Sequence, residues 1–166
     1  MKECDWSSDV CSSDLASSME VKKILCAVDL EDTIAPSVEY AKMMASMTGA
    51  SILVAYVIPA HTPYEDVYLS VNNQPNEVNN PNETIQKSMN ALLAEQFAGM
   101  DATGVILVGR PSEELVKLAE EKGANLIVMG THGRAGFDRL LFGSVAHEVV
   151  RAAPCPVMTV RPLMPK

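Results

Sequence analysis

The chain has 166 residues, 48% of them hydrophobic, which suits one domain with a buried core and is short for two. Its net charge of −8 argues against a nucleic acid partner held through phosphate contacts. No apolar run reaches about 18 residues, which predicts no membrane-spanning helix, and the first residues lack the basic start and apolar core of a secretory signal.

Residues 1–18, MKECDWSSDVCSSDLASS, form a leader without helical or strand periodicity. The leader repeats SSD and contains Cys4 and Cys11, which could in principle form a redox or metal pair. Its stretch DWSSDVCSSDL resembles translated sequencing-adapter read-through. We therefore expect residues 1–18 to be extraneous and assign the domain to residues 19–166.

The first two predicted strands lie on either side of the first predicted helix. The apolar run at 22–30 predicts a buried strand, and the helical spacing at 35–49 predicts a helix that Gly49 ends. The next run, SILVAYVI at 51–58, is apolar on both faces. A strand of this kind is typical of a parallel sheet that helices cover on both sides.

An Asn- and Pro-rich segment at 59–83 interrupts the pattern, and we expect a mobile loop or a lid there. Helical spacing then returns from Thr84 to about Met100. The rest of the chain continues the alternation, with predicted strands at 103–109, 124–130 and 156–160 and predicted helices at 110–123 and 144–153. Five strands alternating with helices predict a single α/β domain with a mostly parallel sheet and right-handed crossovers.

Three glycines mark the passage from the fourth predicted strand to the last predicted helix. Gly130 ends the strand, at the edge of the sheet where ligands of open α/β folds bind. Gly133 permits a turn, and Gly143 and Ser144 precede a helix whose first N–H groups and dipole attract anions. Ser144 could cap this helix and bind a phosphate oxygen, and Arg134 could add charge. The spacing predicts a phosphate cradle, with an ordinary turn and an ordinary helix cap as the alternative.

With these residues in view, the chain from about Met19 to Pro162 resembles a universal stress protein domain of the UspA type. The pattern Gly130, two residues, Gly133, nine residues, Gly143–Ser144 matches the phosphate motif of that family's ATP-binding branch. NLIVMGTHGR and APCPVMTVRP resemble its fourth and fifth strands. The resemblance implies a doubly wound, five-stranded parallel sheet in the order 3-2-1-4-5, of the adenine nucleotide alpha hydrolase-like kind.

The resemblance also implies roles for individual residues. Asp29 lies where the family contacts the ribose or adenine, and Ala27 faces the base. Val57 matches the position whose backbone binds the adenine, and Val145 lies among the phosphate contacts. His132 could touch a phosphate, with a surface role as the alternative. For Asp29 the alternative is an acid that caps a helix or is simply solvated.

The function that follows is a stress-response module that binds ATP, with or without Mg²⁺ or Mn²⁺, and uses the nucleotide as a signal. An enzyme that hydrolyses ATP or transfers its phosphoryl or adenylyl group is a second hypothesis, and a sensor of AMP or another adenine compound is a third. No P-loop pattern and no G-x-G-x-x-G after the first strand is present.

The last predicted strand, Pro156–Val160, lacks a charge before Arg161, and a bare apolar edge invites pairing with another chain. In the family that the chain resembles, this strand pairs with its twin, which implies a homodimer. A monomer whose C-terminal tail covers the edge is the alternative. Cys26 and Cys155, in a chain without a signal sequence, favour a reducing cytoplasm.

Overall fold

The computed structural model describes residues 20–30, 36–59, 81–131 and 143–161. In these residues the strands and helices are β1 (Lys23–Ala27), α1 (Pro36–Thr48), β2 (Ser51–Pro59), α2 (Pro81–Gln96), β3 (Ala102–Gly109), α3 (Pro111–Lys122), β4 (Leu126–Gly130), α4 (Ser144–Ala152) and β5 (Val157–Val160). The expected leader and most of the expected loop at 59–83 lie outside the described residues, so those two predictions are not addressed. Within the described ranges, no helix combines the length and the apolar character that crossing a membrane requires.

The five strands form one parallel sheet in the order β3-β2-β1-β4-β5. The chain first builds outward from β1 to β2 and β3, then returns to the other side of β1 to add β4 and β5. Helices α1 and α2 pack on one face of the sheet, and α3 and α4 pack on the other. The expected doubly wound architecture and its strand order are therefore confirmed.

Alternating side chains of the strands supply two separate cores. Ile24 and Cys26 of β1 join the cluster beneath α1 and α2, whereas Leu25 joins the cluster beneath α3 and α4. All three side chains are fully buried, as expected for a central strand that helices cover on both faces. Burial also raises the pKa of the Cys26 thiol to about 12, so this cysteine is un-ionised and acts as a small apolar side chain.

Helix α2 begins and ends earlier than the spacing of apolar residues predicted. It begins at Pro81, a favoured first helical residue, and ends at Gln96 rather than near Met100. Phe97 is only 3% exposed although it follows the helix. The apolar pattern therefore continues into buried residues beyond the end of the helix. The chain turns there through Gly99, which has a φ of 79°.

Helix α3 follows the sequence prediction closely. Pro111 lies in its first turn together with Glu113 and Glu114, which face the positive end of the helix dipole. Gly123 ends the helix in the left-handed conformation, and the N–H of Ala124 then donates to the carbonyl of Ala119 at 2.9 Å.

The side chain of Asn125 joins the start of β4 to the start of β1. Its Oδ1 accepts hydrogen bonds from the N–H groups of Lys22 and Lys23, each at 3.0 Å. Strand β4 begins at Leu126, two residues later than the apolar run predicted. Ala124 and Asn125 instead form the turn between α3 and β4.

Gly104 of β3 provides a test of how closely α2 packs on the sheet. A Cβ at this position would lie 2.7 Å from Cγ of Met89, a side chain that is fully buried. We expect Gly104→Ala to lower the free energy of unfolding in urea by about 1–3 kcal/mol through overpacking. The exposed neighbour offers a control, since Thr103→Ala should change it by less than about 0.5 kcal/mol. Equal effects of the two substitutions would contradict this packing.

Candidate functional site

The carboxyl ends of β1 and β4 meet where the order of the strands reverses. Ala27 at the end of β1 lies opposite Met129, one residue before the end of β4. From this edge the chain proceeds from β1 to α1 on one face, and from β4 to α4 on the other. At such a reversal of strand order, α/β folds of this type bind their ligands between the two diverging connections.

The predicted contacts of the base and ribose gather at this edge. The N–H of Val28 donates to the carbonyl of Ala55 at 3.0 Å, so the ladder between β1 and β2 extends beyond β1. That register brings Asp29 level with Val57 of β2. Val57 is 8% exposed, and Ala27 is partly buried against the cluster to which Val57 belongs.

The predicted phosphate contacts lie on the same face of the sheet. Val145 of α4 is partly buried and packs against the cluster that contains Val57 and Ala146. Ser144 is exposed, and Gly143 is half-buried beside it. The start of α4 lies beside the end of β4, since Gly143 is hydrogen-bonded to Thr131, the residue that follows that strand.

Gly143 is a glycine because the backbone of Thr131 passes close to it. Its N–H donates to the carbonyl oxygen of Thr131 at 2.8 Å, and a Cβ at Gly143 would lie 2.9 Å from that oxygen. The φ of −64° and ψ of 156° at Gly143 are accessible to any residue. The close approach, and not the backbone conformation, therefore excludes a side chain here.

One expectation about this helix start is wrong. Ser144 does not cap α4, because the capping position is Gly143 and Ser144 is the first helical residue. The first hydrogen bond of the helix runs from the N–H of His147 to the carbonyl of Gly143 at 3.0 Å. The N–H groups of Ser144, Val145 and Ala146 precede that bond, and such groups at a helix start can face an anion. The N–H of Gly143 is not among them, since it donates to Thr131.

Three of the predicted site residues, His132, Gly133 and Arg134, lie outside the described residues, so their contribution to the site stays a prediction. Gly130 is described and ends β4, where it lies opposite Val160 of β5. Sequence reasoning missed Thr131, which is 5% exposed and makes two backbone bonds that no local pattern signals.

A polar cluster joins the start of α3, after the carboxyl end of β3, to the middle of α4. Arg110 contacts Glu113 and Glu148, each at 3.0 Å, and the hydroxyl of Ser112 donates to Glu148 at 2.5 Å. The Ser112 hydrogen bond and the nearby charge of Arg110 lower the pKa of Glu148. These residues line a shallow groove of about 360 Å³ with Val116 and others on the same two helices. The ion pairs are largely exposed, so they contribute little to stability.

Among the residues that the structure describes, no three His, Cys, Asp or Glu side chains come together as a metal site. Asp29 is the acidic side chain among the predicted contacts at the carboxyl edge. A cation such as Mg²⁺ commonly takes one or two carboxylates and completes its shell with water and substrate phosphates.

Comparison with known proteins identifies relatives along most of the chain. The model of the universal stress protein family matches residues 20–161. Universal stress protein MJ0531 of Methanocaldococcus jannaschii is 33% identical over 144 residues, which cover 84% of this chain and 82% of that protein.

Two solved structures share the fold. The structure of protein MJ0577 of Methanocaldococcus jannaschii is 26% identical with a TM-score of 0.73, and the match covers 88% of this chain and 99% of that one. A universal stress protein from Archaeoglobus fulgidus, solved in complex with dAMP, is 25% identical with a TM-score of 0.56. That match covers 85% of this chain and 98% of the other.

Substitutions at the start of α4 test the assignment of its cap. We expect Gly143→Ala to lower the free energy of unfolding by about 1–3 kcal/mol, because the new methyl group would press on the carbonyl of Thr131. Ser144→Ala should change it by less than about 0.5 kcal/mol, since the side chain of Ser144 is exposed and outside the capping position. Urea denaturation of both variants provides the measurement. A loss at Ser144 of the size typical of a removed cap, about 1 kcal/mol, would contradict the assignment.

Proposed function

The chain belongs to the universal stress protein family, and from this premise we propose that it binds ATP at the carboxyl edge of β1 and β4 as a stress-response module. The observation that carries the proposal is the position of Gly143 and the first turn of α4 beside that edge. An adenine nucleotide offers an apolar base and a set of negative phosphates. The carboxyl edge offers partly apolar side chains to the base and the start of a helix to the phosphates.

The phosphates would bind at the first turn of α4. The N–H groups of Ser144, Val145 and Ala146 lie at the positive end of the helix dipole, and the Ser144 hydroxyl is exposed beside them. Gly143 keeps the approach to this turn clear of a side chain. We assign His132, Gly133 and Arg134 to the same phosphate site on the strength of the sequence motif.

The adenosine would bind across the ends of β1 and β2. Asp29 and Val57 lie level with one another there, and Ala27 faces the same side of the sheet as Val57. In this arrangement the carboxylate of Asp29 accepts hydrogen bonds from the ribose, and the strand ends contact the base. The dAMP complex of the Archaeoglobus fulgidus relative supports an adenine nucleotide in a fold of this kind.

Binding, rather than turnover, is the function we propose. Hydrolysis of ATP requires a base positioned on an attacking water, and Asp29, the described carboxylate at this edge, is assigned to the ribose. ATP hydrolysis or phosphoryl transfer is the competing activity, and the titration below separates it from binding.

Strand β5 would carry the homodimer. It is the last strand of the sheet and pairs with β4 on one side. The carbonyls of Pro156 and Val160 accept hydrogen bonds from the N–H groups of Ile127 in β4 and of Thr131 just after it, so these two residues direct their backbone inward. Because successive residues of a strand address opposite edges, Val157 and Thr159 direct theirs outward, where a second copy of β5 would pair.

We also propose a cytoplasmic location. Among the described residues Cys26 and Cys155 are both free thiols, and burial raises the pKa of each. Free cysteines of this kind are typical of a reducing compartment.

The nucleotide assignment is tested by calorimetric titration of ATP, ADP and AMP into the wild-type protein and into Asp29→Asn. We expect affinity to fall as phosphates are removed, and Asp29→Asn to weaken ATP binding about tenfold or more through the loss of hydrogen bonds to a carboxylate. Asp101→Asn is the matched control, because Asp101 is exposed and precedes β3 at the opposite edge of the sheet.

A wild-type protein that ignores all three nucleotides would exclude the proposal. Steady release of ADP or AMP during the same titration, abolished in Asp29→Asn, would favour the enzyme instead. Equal weakening by Asp29→Asn and Asp101→Asn would show that overall charge, and not a contact at the carboxyl edge, governs affinity.

The dimer assignment is tested by a proline on the outer edge of β5. Thr159→Pro removes an N–H that faces away from β4, so the sheet should remain intact while strand pairing between copies is blocked. Thr159→Val keeps the N–H and serves as the control. We expect sedimentation to show a monomer for Thr159→Pro and a dimer for Thr159→Val; a dimer of unchanged affinity in both would place the interface elsewhere.

A further inference from the structure

A single residue, Thr131, joins the end of β5 to the first turn of α4. Its N–H donates to the carbonyl of Val160 at 2.9 Å, and its own carbonyl accepts from the N–H of Gly143 at 2.8 Å. Thr131 is 5% exposed, so water has little access to compete for these bonds. Two short backbone hydrogen bonds therefore fix the start of α4 relative to the last residue of β5.

Helix α4 is tied to β5 at its other end as well. The N–H of Ala153 donates to the carbonyl of Val149 and closes the helix, and residues 153–156 lead directly into β5. The carbonyl of Pro156 then accepts from the N–H of Ile127 in β4 at 3.0 Å. Neither end of α4 can shift without moving β5 or breaking one of these bonds.

The side chain of Val160, the residue of β5 to which Thr131 is bonded, packs on the opposite face of the sheet from α4. This side chain is 7% exposed and belongs to the cluster beneath α1 and α2, whereas α4 packs on the other face. A ligand at the first turn of α4 is thus separated by the sheet from the Val160 side chain. Yet Val160 supplies the carbonyl to which Thr131 is bound.

We propose that Thr131 is a positioning residue that makes the end of β5 part of the phosphate site. Anchoring of the Val160 side chain then sets the affinity for the nucleotide, and an occupied site in turn orders the end of β5. This inference rests on the nucleotide binding proposed above. The effect of Val160 on nucleotide affinity and the effect of bound nucleotide on the end of β5 must be equal in free energy, because coupling between two sites is reciprocal.

The test compares Val160→Ala with Val54→Ala. Val54 is fully buried in β2 and belongs to the same cluster as Val160, so both variants lose the same atoms from the same core, but only one lies at the connection. In calorimetric titration with ATP, we expect Val160→Ala to bind about fivefold or more weakly and Val54→Ala to bind as the wild type does. Equal affinities in all three proteins, or equal losses in the two variants, would overturn the inference.

Amide hydrogen exchange tests the same connection without nucleotide. We expect the Gly143 amide to exchange about fivefold or more faster in Val160→Ala than in Val54→Ala, after scaling each to its own slowest core amides. Equal scaled rates would overturn the inference even if ATP binds. If the wild-type protein binds no ATP, the proposed function fails, while this comparison still decides the role of Thr131.

Should Val160→Ala fail to fold, the wild-type protein supplies the readout. Saturating ATP should slow exchange of the Thr131 amide, which donates to Val160, about fivefold or more. The amide of Ala124, which bonds to Ala119 at the distant end of α3, is the internal control and should not change. Equal changes at both amides, or none at Thr131, would overturn the inference.

Discussion

The pairing of β1 with both β2 and β4 is the constraint on which the rest of this structure depends. Parallel strands must be joined by right-handed crossovers, so building outward from β1 in one direction places the helices on one face. Building back past β1 in the other direction places α3 and α4 on the opposite face. The carboxyl ends of β1 and β4, where α/β folds of this type bind ligands, therefore owe their position to the strand order and need no special sequence of their own.

The polar groups near the carboxyl ends of β1 and β4 come from the residues that follow the strands. The cores on the two faces are largely aliphatic, and the buried polar residues in the described part of the chain are Ser37, Ser112 and Thr131. Two of these three lie near the ends of helices, where backbone groups need partners. Thr131 instead follows a strand, and its backbone serves β5 and α4 together. The buried polar side chains of the described residues thus lie at the ends of strands and helices.

The polar cluster of Arg110, Ser112 and Glu148 links α3 to α4 through exposed ion pairs and a hydrogen bond. Arg110 is 61% exposed at its side chain, and screening by water limits what its ion pairs contribute. The cluster orients α3 against α4 on the outside of the molecule. The candidate site instead combines the backbone N–H groups at the start of α4 with the carboxylate of Asp29.

The sequence by itself determined the class of fold and the identity of every strand and helix described. Those features follow from local rules: alternating burial in the strands, helical spacing, and the proline and glycine that begin and end α3. The strand order and the nucleotide residues came from the resemblance to a family, because sequence spacing does not say which strands are neighbours. Of the predicted site residues, seven are described and lie at the carboxyl ends of the strands or at the start of α4, while their contacts with a nucleotide stay predictions: Ala27, Asp29, Val57, Gly130, Gly143, Ser144 and Val145.

Tertiary structure decided the remaining points. Phe97 is buried beyond the end of α2, so periodicity overestimated where that helix ends. Gly143, and not Ser144, takes the capping position of α4, because the carbonyl of Thr131 lies too close for any side chain at that point. The bonds from Thr131 to Val160 and Gly143 join residues that are 29 and 12 positions away in the chain. Contacts of this kind depend on how strands and helices meet in space, and a local pattern of residue types carries no information about them.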